Sequence, residues 1–453
     1  MGASSLASSF PGHDAHAVAA AQRIMCRLLH GFRGSLDLRL WNDASLRLGA
    51  SAPEFTLVVR DPAVLRELVI QRNPLLIAEA HFRGLLDFEG DLYAALKLKP
   101  HFLALNLGWR EQLAIWRDAL RLPRRQRLVM SPTAAGAGQP FGHHHSRHSD
   151  RAAIEFHYDV SNHFYRLWLD EQMVYSCAYF DSTQDTLEAA QARKLDHICR
   201  KLRLQPGERL LDIGCGWGAL VCWAARLYGV RAHGITLSRQ QLEGARERIA
   251  AAGLQRQVSV ERLDYRDLPG EGAYDKVCSV GMFEHVGLAN LPTYHAIVHR
   301  VLRDSGLFLN HGITHDAEGW QPGLDAEFIN RYVFPDGELD TVSNVQRGME
   351  RAGFEILDVE GLRAHYAMTL RHWVQRLEAR RDEALRHVNQ TTYRVWRLYM
   401  AASALEFEAG GTGVYQVLAA KRRAGAPPVP LTRADLYRAG LGQDGAVPPS
   451  AIR

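Results

Sequence analysis

From residue 34 the chain alternates apolar and polar positions, as in SLDLRLW and EFTLVV, with turn signals at Asn42-Asp43 and around Gly49. A period of two sends successive side chains to opposite faces, so this stretch predicts a small β-rich unit. At DPAVLRELVIQ the period becomes helical, with Asp61 placed as N-cap and Pro62 at the first helical position, where no N–H is needed. Residues 131–150, SPTAAGAGQPFGHHHSRHSD, follow neither period and predict a linker. Apolar strands and helical stretches then alternate. ERLLDIG is a strand, 217–228 a helix, RAHGIT a strand, and a helix starts at Ser238. VSVERL and YDKVCSVGM are strands, Asn290-Leu291-Pro292 opens a helix, and GLFLNHGI is a further strand. This order predicts a doubly wound, mostly parallel sheet. Helices at 369–388 and 392–408 and a last strand, GVYQVLAA, follow, and the Pro/Gly-rich end is expected to be loose. The predicted organisation is a small basic N-terminal domain at 1–130, the linker at 131–150, an α/β domain at 151–425 and a tail at 426–453.

Composition narrows the possibilities. A length of 453 residues favours two or three domains. Apolar residues at 47% and charged residues at 23% are those of a globular protein. The six cysteines, at 26, 177, 199, 215, 222 and 278, contain no CxxC pair, which argues against a disulfide framework or zinc site and for a reducing compartment. No apolar run predicts a membrane span, and the N-terminal stretch has no signal-peptide pattern, so a cytoplasmic location is expected. Residues 1–150 carry 18 Lys+Arg against 13 Asp+Glu, whereas the remainder is nearly balanced at 36 against 37. The densest basic run is Arg117, Arg121, Arg124, Arg125 and Arg127. It reads either as a solvated helix face or as a surface for an anionic partner, membrane or nucleic acid. His143, His144, His145 and His148 lack a cysteine or carboxylate ligand set, so they read as polar linker and no metal is expected.

The chemistry concentrates in LLDIGCGWGAL, an apolar strand that runs through glycine turns into a helix. Gly214, Gly216 and Gly218 let the backbone approach a ligand, and Asp212 sits at the strand's end. GxGxG is not the GxGxxG of dinucleotide sites, and no Lys-Ser/Thr follows for phosphates. In this strand–turn–helix setting it resembles the first motif of S-adenosylmethionine-dependent methyltransferases. That resemblance implies a Rossmann-like class I methyltransferase fold. GITLSRQQ ends the second strand, where many such enzymes carry an acid for the ribose; here Thr236 and Gln241 are neutral hydrogen-bonding candidates, with Ser238 as helix cap. In RLDYRDL, Asp264 is placed to accept from an adenine amine and Tyr265 to cover its ring. SVGMFEHVG puts Glu284 and His285 at the carboxyl edge of the sheet, and LFLNHGIT puts His311 at the end of the next strand.

Taken together, HYDVSNHFY, YSCAYF, LDIGCGWG, GITLS, MFEH, FINRYVFPDGEL and HYAMTL resemble the cyclopropane-fatty-acyl-phospholipid synthase and mycolic acid cyclopropane synthase family over 155–422. AEAHFRGLLDFEGDL resembles the smaller domain of its long bacterial members. The family implies attack by the double bond of a phospholipid acyl chain on the cofactor's sulfonium methyl, giving a carbocation that loses a proton and closes to a cyclopropane. Bicarbonate is thought to take that proton. Carried over, Cys177, Glu284, His311, the backbone of Ile313 and Tyr366 would hold it. Tyr175, Ser176, Asp212, Gly214, Cys215, Gly216, Gly218, Thr236, Leu237, Gln241, Asp264 and Tyr265 would meet S-adenosylmethionine. Glu284 beside an anion must be protonated or hold the bicarbonate's own proton. Phe156, Tyr158, Phe164, Tyr165, Trp168 and Tyr179 are expected to line an acyl-chain channel. Ser403 stands where some members have a cysteine. The resemblance implies a peripheral enzyme acting on unsaturated phospholipids at a membrane surface, with no nucleic acid or metal and with a homodimer possible. Two readings stay open beside cyclopropanation: a methyltransferase giving methylene- or methyl-branched chains, and a non-catalytic lipid-binding homologue.

Overall fold

The computed structural model describes residues 11–124, 145–158, 160–320, 323–335, 337–425 and 428–437. The chain divides into two compact units: Met1–Gly138 with Gln390–Ala402, and Gln139–Asn389 with Ser403–Arg453.

In the first unit the alternating stretch forms β1 (Leu36–Arg39), β2 (Ser45–Leu48) and β3 (Phe55–Val59), and β4 (Leu86–Gly90) completes a sheet of order β2-β1-β3-β4. Asp61 caps helix Pro62–Gln71 as expected, its carboxylate accepting from the Ala63 N–H. Helix Pro11–Leu28, which the sequence reading left unassigned, buries Ala17, Ala20, Ala21 and Ile24 in the same core as β1 and β3. Helix Trp109–Leu120 buries Ile115 and Ala119 there. Its Asp118 is wholly buried and accepts from Arg23 and Arg27 of the first helix and from Arg121. Arg66 donates to the carbonyls of Ala119, Leu120 and Leu122, satisfying the end of that helix.

The second unit holds a seven-stranded sheet. Its strands are β5 (Arg209–Ile213), β6 (Arg231–Thr236), β7 (Val258–Arg262), β8 (Tyr274–Val280), β9 (Leu302–His315), β10 (Phe354–Gly361) and β11 (Thr412–Lys421), in the order β10-β11-β9-β8-β5-β6-β7. Strands β5 to β9 pair in parallel, and β11 is antiparallel to both β9 and β10. Both faces are covered, so neighbouring residues of one strand enter different cores: Leu307 and Leu309 on one side of β9, Phe308 on the other. The expected doubly wound, mostly parallel sheet is present. Strand order reverses between β5 and β8, the point at which such sheets open a crevice at their carboxyl ends.

Several boundaries differ from expectation. Helix Arg147–Tyr158 starts inside the stretch read as linker. The helix expected at 369–388 begins earlier, as Arg363–Ala379, and breaks at Arg380 before Arg381–His387. The helix expected at 392–408 is Gln390–Ala409. The tail is not loose throughout: Leu436 is buried, Arg203 pairs with Asp435 at 2.9 Å, and Arg433 pairs with Asp358 at 2.5 Å. Among the described residues no helix is long and apolar enough to cross a membrane.

Burial raises the Asp118 pKa, but its bonds from Arg23 and Arg27 outweigh that, and the net shift is downward. The stabilisation is therefore present above the unfolded carboxyl's range and is lost as pH falls. Asp118→Ala is expected to cost about 1–3 kcal/mol at pH 7 in urea unfolding, with the gap from wild type closing as pH falls below the unfolded carboxyl's range.

Candidate active site

The glycine turn after β5 opens the crevice. Gly214, Gly216 and Gly218 all have positive φ, at 83°, 54° and 79°, a region that costs other residues strain. A Cβ on Gly214 would also stand 2.9 Å from Cγ of Met282. Gly218 caps helix Ala219–Tyr228. The cleft encloses about 950 Å³ of free space, its mouth included. Of the residues expected to meet the cofactor, Tyr175, Ser176, Asp212, Gly214, Cys215, Gly216, Thr236, Leu237, Gln241 and Tyr265 line it.

Two expected residues do not line it. Gly218 serves as the helix cap, and Asp264 is committed to Arg266, accepting at 2.8 Å and 2.7 Å from its guanidinium and at 2.9 Å from its backbone N–H. Arg266 also donates to Asp150 at 2.9 Å, and Asp150 and Glu338 flank His145 at 3.6 Å and 3.4 Å. Those two carboxylates push the His145 pKa up to about 9. One member of the histidine stretch is thus held between two carboxylates; His143, His144 and the side chain of His148 lie outside the described residues. No group of His, Cys, Asp and Glu that would hold a metal occurs among the described residues.

Thr236 donates to the amide oxygen of Gln241 at 2.7 Å, leaving the amide nitrogen to donate, and Ser238 caps the following helix as expected. Asp212 is buried, accepts weakly from Cys278 Sγ at 3.4 Å, and has its pKa pushed up to about 6 by burial. Lys194, a lining residue not picked out from sequence, donates to Ser176 Oγ at 2.8 Å. Burial pushes its pKa down to about 8 against the opposing carboxylates of Asp170 and Asp212. Its signal was present: on helix Leu187–Lys201 it falls on the same buried face as Leu187, Ala190, Gln191 and Ile198. His285 also lines the cleft, with its pKa lowered to about 4 by burial.

The second group of expected residues is joined by one hydrogen-bonded path. Cys177 Sγ and the Tyr366 N–H both reach the Leu362 carbonyl, at 3.7 Å and 3.1 Å. The Leu362 N–H donates to Val414 on β11, which pairs with Ile313 on β9. The Ile313 N–H donates to Glu284 Oε1 at 2.7 Å, and two residues back His311 Nδ1 meets Gln416 Nε2 at 3.1 Å. Glu284 Oε2, His311 Nε2 and Gln416 Oε1 are buried without a protein partner. Burial lifts the Glu284 pKa to about 7, against the lowering pull of the Ile313 N–H, and drives that of His311 well down. Burial raises the Cys177 thiol far above its ordinary range, so it is a neutral, weak donor there. Gly312 makes the packing possible: a Cβ would fall 2.0 Å from the Phe283 ring and 3.0 Å from Glu284 Oε1. Tyr366 packs on Phe407 at 4.7 Å, and Ser403 lies one turn before Phe407 on helix Gln390–Ala409.

The aromatic expectation changes. Phe164, Tyr165 and Trp168 are wholly buried and pack edge-on or tilted against one another, so they are core rather than channel wall. The aromatics that line the cleft are Tyr175, Trp217 and Tyr265. Tyr179 is drawn away by Glu360, to which its hydroxyl donates at 3.2 Å. The side chains of Phe156 and Tyr158 lie outside the described residues.

A carboxyl whose folded pKa is raised destabilises the fold once pH passes its unfolded value. Glu284→Gln, which keeps an acceptor for Ile313, is therefore expected to be the more stable protein at pH 8, by up to about 3 kcal/mol. The gap grows between about pH 4.5 and 7 and vanishes below, as thermal melts of both proteins across pH would read.

The mycolic acid cyclopropane synthetase family model matches residues 145–417. The chain is 43% identical over 408 residues to a probable fatty acid methyltransferase of Pseudomonas putida, covering 89% of this chain and 96% of that one. It is 40% identical over 262 residues to the cyclopropane-fatty-acyl-phospholipid synthase of Escherichia coli, covering 58% and 66% of the two chains. The mycolic acid cyclopropane synthase CmaA1, solved in complex with SAH and CTAB, superposes with a TM-score of 0.56 at 33% identity, over 60% of this chain and 98% of that one. With its glycine turn, cleft and buried Glu284–His311 group in place, the chain belongs to the mycolic acid cyclopropane synthetase family, whose members here include cyclopropane synthases and fatty acid methyltransferases, and it is an S-adenosylmethionine-dependent methyltransferase.

Proposed function

We propose that the protein transfers a one-carbon unit from S-adenosylmethionine to the cis double bond of an unsaturated phospholipid acyl chain at a membrane surface and closes a cyclopropane there. The observation that carries this reading is that Glu284 Oε2 and His311 Nε2 are both buried without a partner, Glu284 lying between His285, which lines the cofactor cleft, and Phe283 in the same turn. Orphaned polar atoms in a protein interior fit a small polar ligand. Bicarbonate suits the donor set, and it would supply a compact base for the proton lost on ring closure. Glu284, with a pKa near 7, can present an O–H to an anion, while the Cys177 thiol and the Tyr366 side chain would complete its surround.

S-adenosylmethionine supplies an electrophilic methyl on a positively charged sulfur when bound. Tyr175, Ser176 and Asp212 would hold its amino-acid part, and Thr236, Gln241 and Tyr265 its nucleoside. Burial of Cys177, Glu284, His311 and Tyr366 would keep bulk water from the proposed centre, and the Tyr366 ring would offer an aromatic face to a developing carbocation. A second reading, transfer that ends in a methylene- or methyl-branched chain, is favoured by the 43% identity across nearly the whole P. putida relative. The two readings differ only in the fate of the cation.

Calorimetric titration with S-adenosylmethionine should give a dissociation constant between about 1 μM and 1 mM, the usual range for enzyme substrates. Lipids extracted after incubation with unsaturated phospholipid should gain one methylene unit and show high-field ring-proton resonances. Absence of the ring signal with the mass gain retained would replace cyclopropanation by branching. Glu284→Gln should slow turnover on the order of a hundredfold or more while leaving cofactor affinity nearly unchanged.

A further inference from the structure

Five of the ten exposed large apolar side chains among the described residues fall within 103–120: Leu103, Trp109, Leu113, Trp116 and Leu120. The last four belong to one helix, Trp109–Leu120, and are 71%, 59%, 47% and 43% exposed. At 3.6 residues per turn they share an arc of roughly 60°. This stripe is not a helix turned the wrong way. Ile115 and Ala119 of the same helix are buried, Asp118 is clamped by Arg23 and Arg27, and Arg66 holds the last carbonyls. The rotation is fixed, and it presents two tryptophans and two leucines outward.

The charges beside the stripe decide what it meets. Arg110 and Arg117 flank it on one side, Arg121 and Arg124 continue that flank, and all four are exposed. The acids of the segment are spent: Asp118 is buried under three guanidiniums, and Glu111 accepts from the Gly108 N–H at the helix start. The apolar spacing of four, three and four would suit a seam between two copies. Such a seam would set Arg110 and Arg117 beside Gln112 and Ala119, with no carboxylate opposite. An anionic lipid surface supplies the missing charge, accepts the leucines into its acyl boundary and suits tryptophan at the headgroup level.

The geometry points to helix Trp109–Leu120 as an interfacial helix that lies in the surface of an anionic bilayer. This rests on the proposed phospholipid substrate and assigns the docking to a face. It also shifts emphasis within the basic run, since Arg121 is already paired with Asp118, and Arg125 and Arg127 lie outside the described residues.

Flotation with vesicles of phosphatidylglycerol and phosphatidylcholine tests it on the full chain. Wild type should float, and added salt should release it. Leu113→Gln/Leu120→Gln should bind at least tenfold more weakly, and Arg110→Gln/Arg117→Gln should lose most of the preference over pure phosphatidylcholine. Both variants should keep wild-type calorimetric affinity for S-adenosylmethionine and wild-type turnover of detergent-dispersed lipid. Normal flotation of the leucine variant overturns the inference, as does a wild-type dimer that the leucine substitutions convert to monomer with flotation intact. Flotation that depends on the stripe, in a protein that modifies no lipid in either format, would uphold the helix and remove the catalytic reading.

Discussion

One hydrogen bond, from the Ile313 N–H to Glu284 Oε1, fixes the group of residues proposed to hold bicarbonate. It ties the turn after β8 to the end of β9 and holds a carboxyl where solvent does not reach. The bond exists only because Gly312 has no side chain to strike Phe283 and because β9 keeps its register with β11. That register sets Gln416 opposite His311 and Val414 opposite Ile313. A slip of one residue would send His311 to the other face of the sheet and place Gly312 where the imidazole belongs. The proposed reaction centre would therefore be a property of strand pairing as much as of the residues named in it.

The cofactor cleft depends on a different balance. Lys194, Asp170 and Asp212 are all buried, and burial moves each toward its neutral form, the acids up to about 6 and the amine down to about 8. The amine and the two carboxyls oppose that pull, since each favours the charged form of its opposite partner. Each charge is tolerated because the others offset its desolvation and because specific bonds hold it: Asp170 accepts from the N–H groups of Gln172 and Val174, and Lys194 donates to Ser176. Of the three, Asp212 and Lys194 line the cleft itself. Ser176 couples the two parts, since it lies one residue before Cys177 and is fixed by the lysine.

What was legible in the sequence were features with local physical causes. The turn at Gly214–Gly218 needs three positive φ values within five residues, which few other sequences can supply, and the caps at Asp61 and Ser238 declare their helices directly. The residues at the carboxyl edges of β8 and β9 could be placed because strand ends are easy to find. What escaped depends on partners remote in the chain. Strand β10 reads FEILDVEG, with three acids among its apolar residues, and two of them, Asp358 and Glu360, are paired with Lys201 from helix Leu187–Lys201. His145 looked like linker until Asp150 and Glu338 closed around it. The aromatics at 164–168 carry no mark that separates core from channel wall, and only packing decides.

An unsaturated phospholipid, the substrate proposed above, would make opposite demands of the two units. On the proposed reaction, a poor nucleophile such as an alkene would need a preformed site shielded from water, and the second unit buries Glu284 Oε2 and His311 Nε2 without protein partners. An acyl chain resides in a bilayer, and the first unit leaves Trp109, Leu113, Trp116 and Leu120 in contact with solvent. In each case the local structure is less favourable than it could be. A hydrophobic residue at 284 would cost the fold nothing in desolvation, and glutamines at 113 and 120 would leave a better hydrated surface. Both features persist on frameworks pinned by buried ion pairs or strand register, which cannot relax to remove them. Rigid support beneath an unsatisfied group separates a site awaiting a ligand from a flaw in packing.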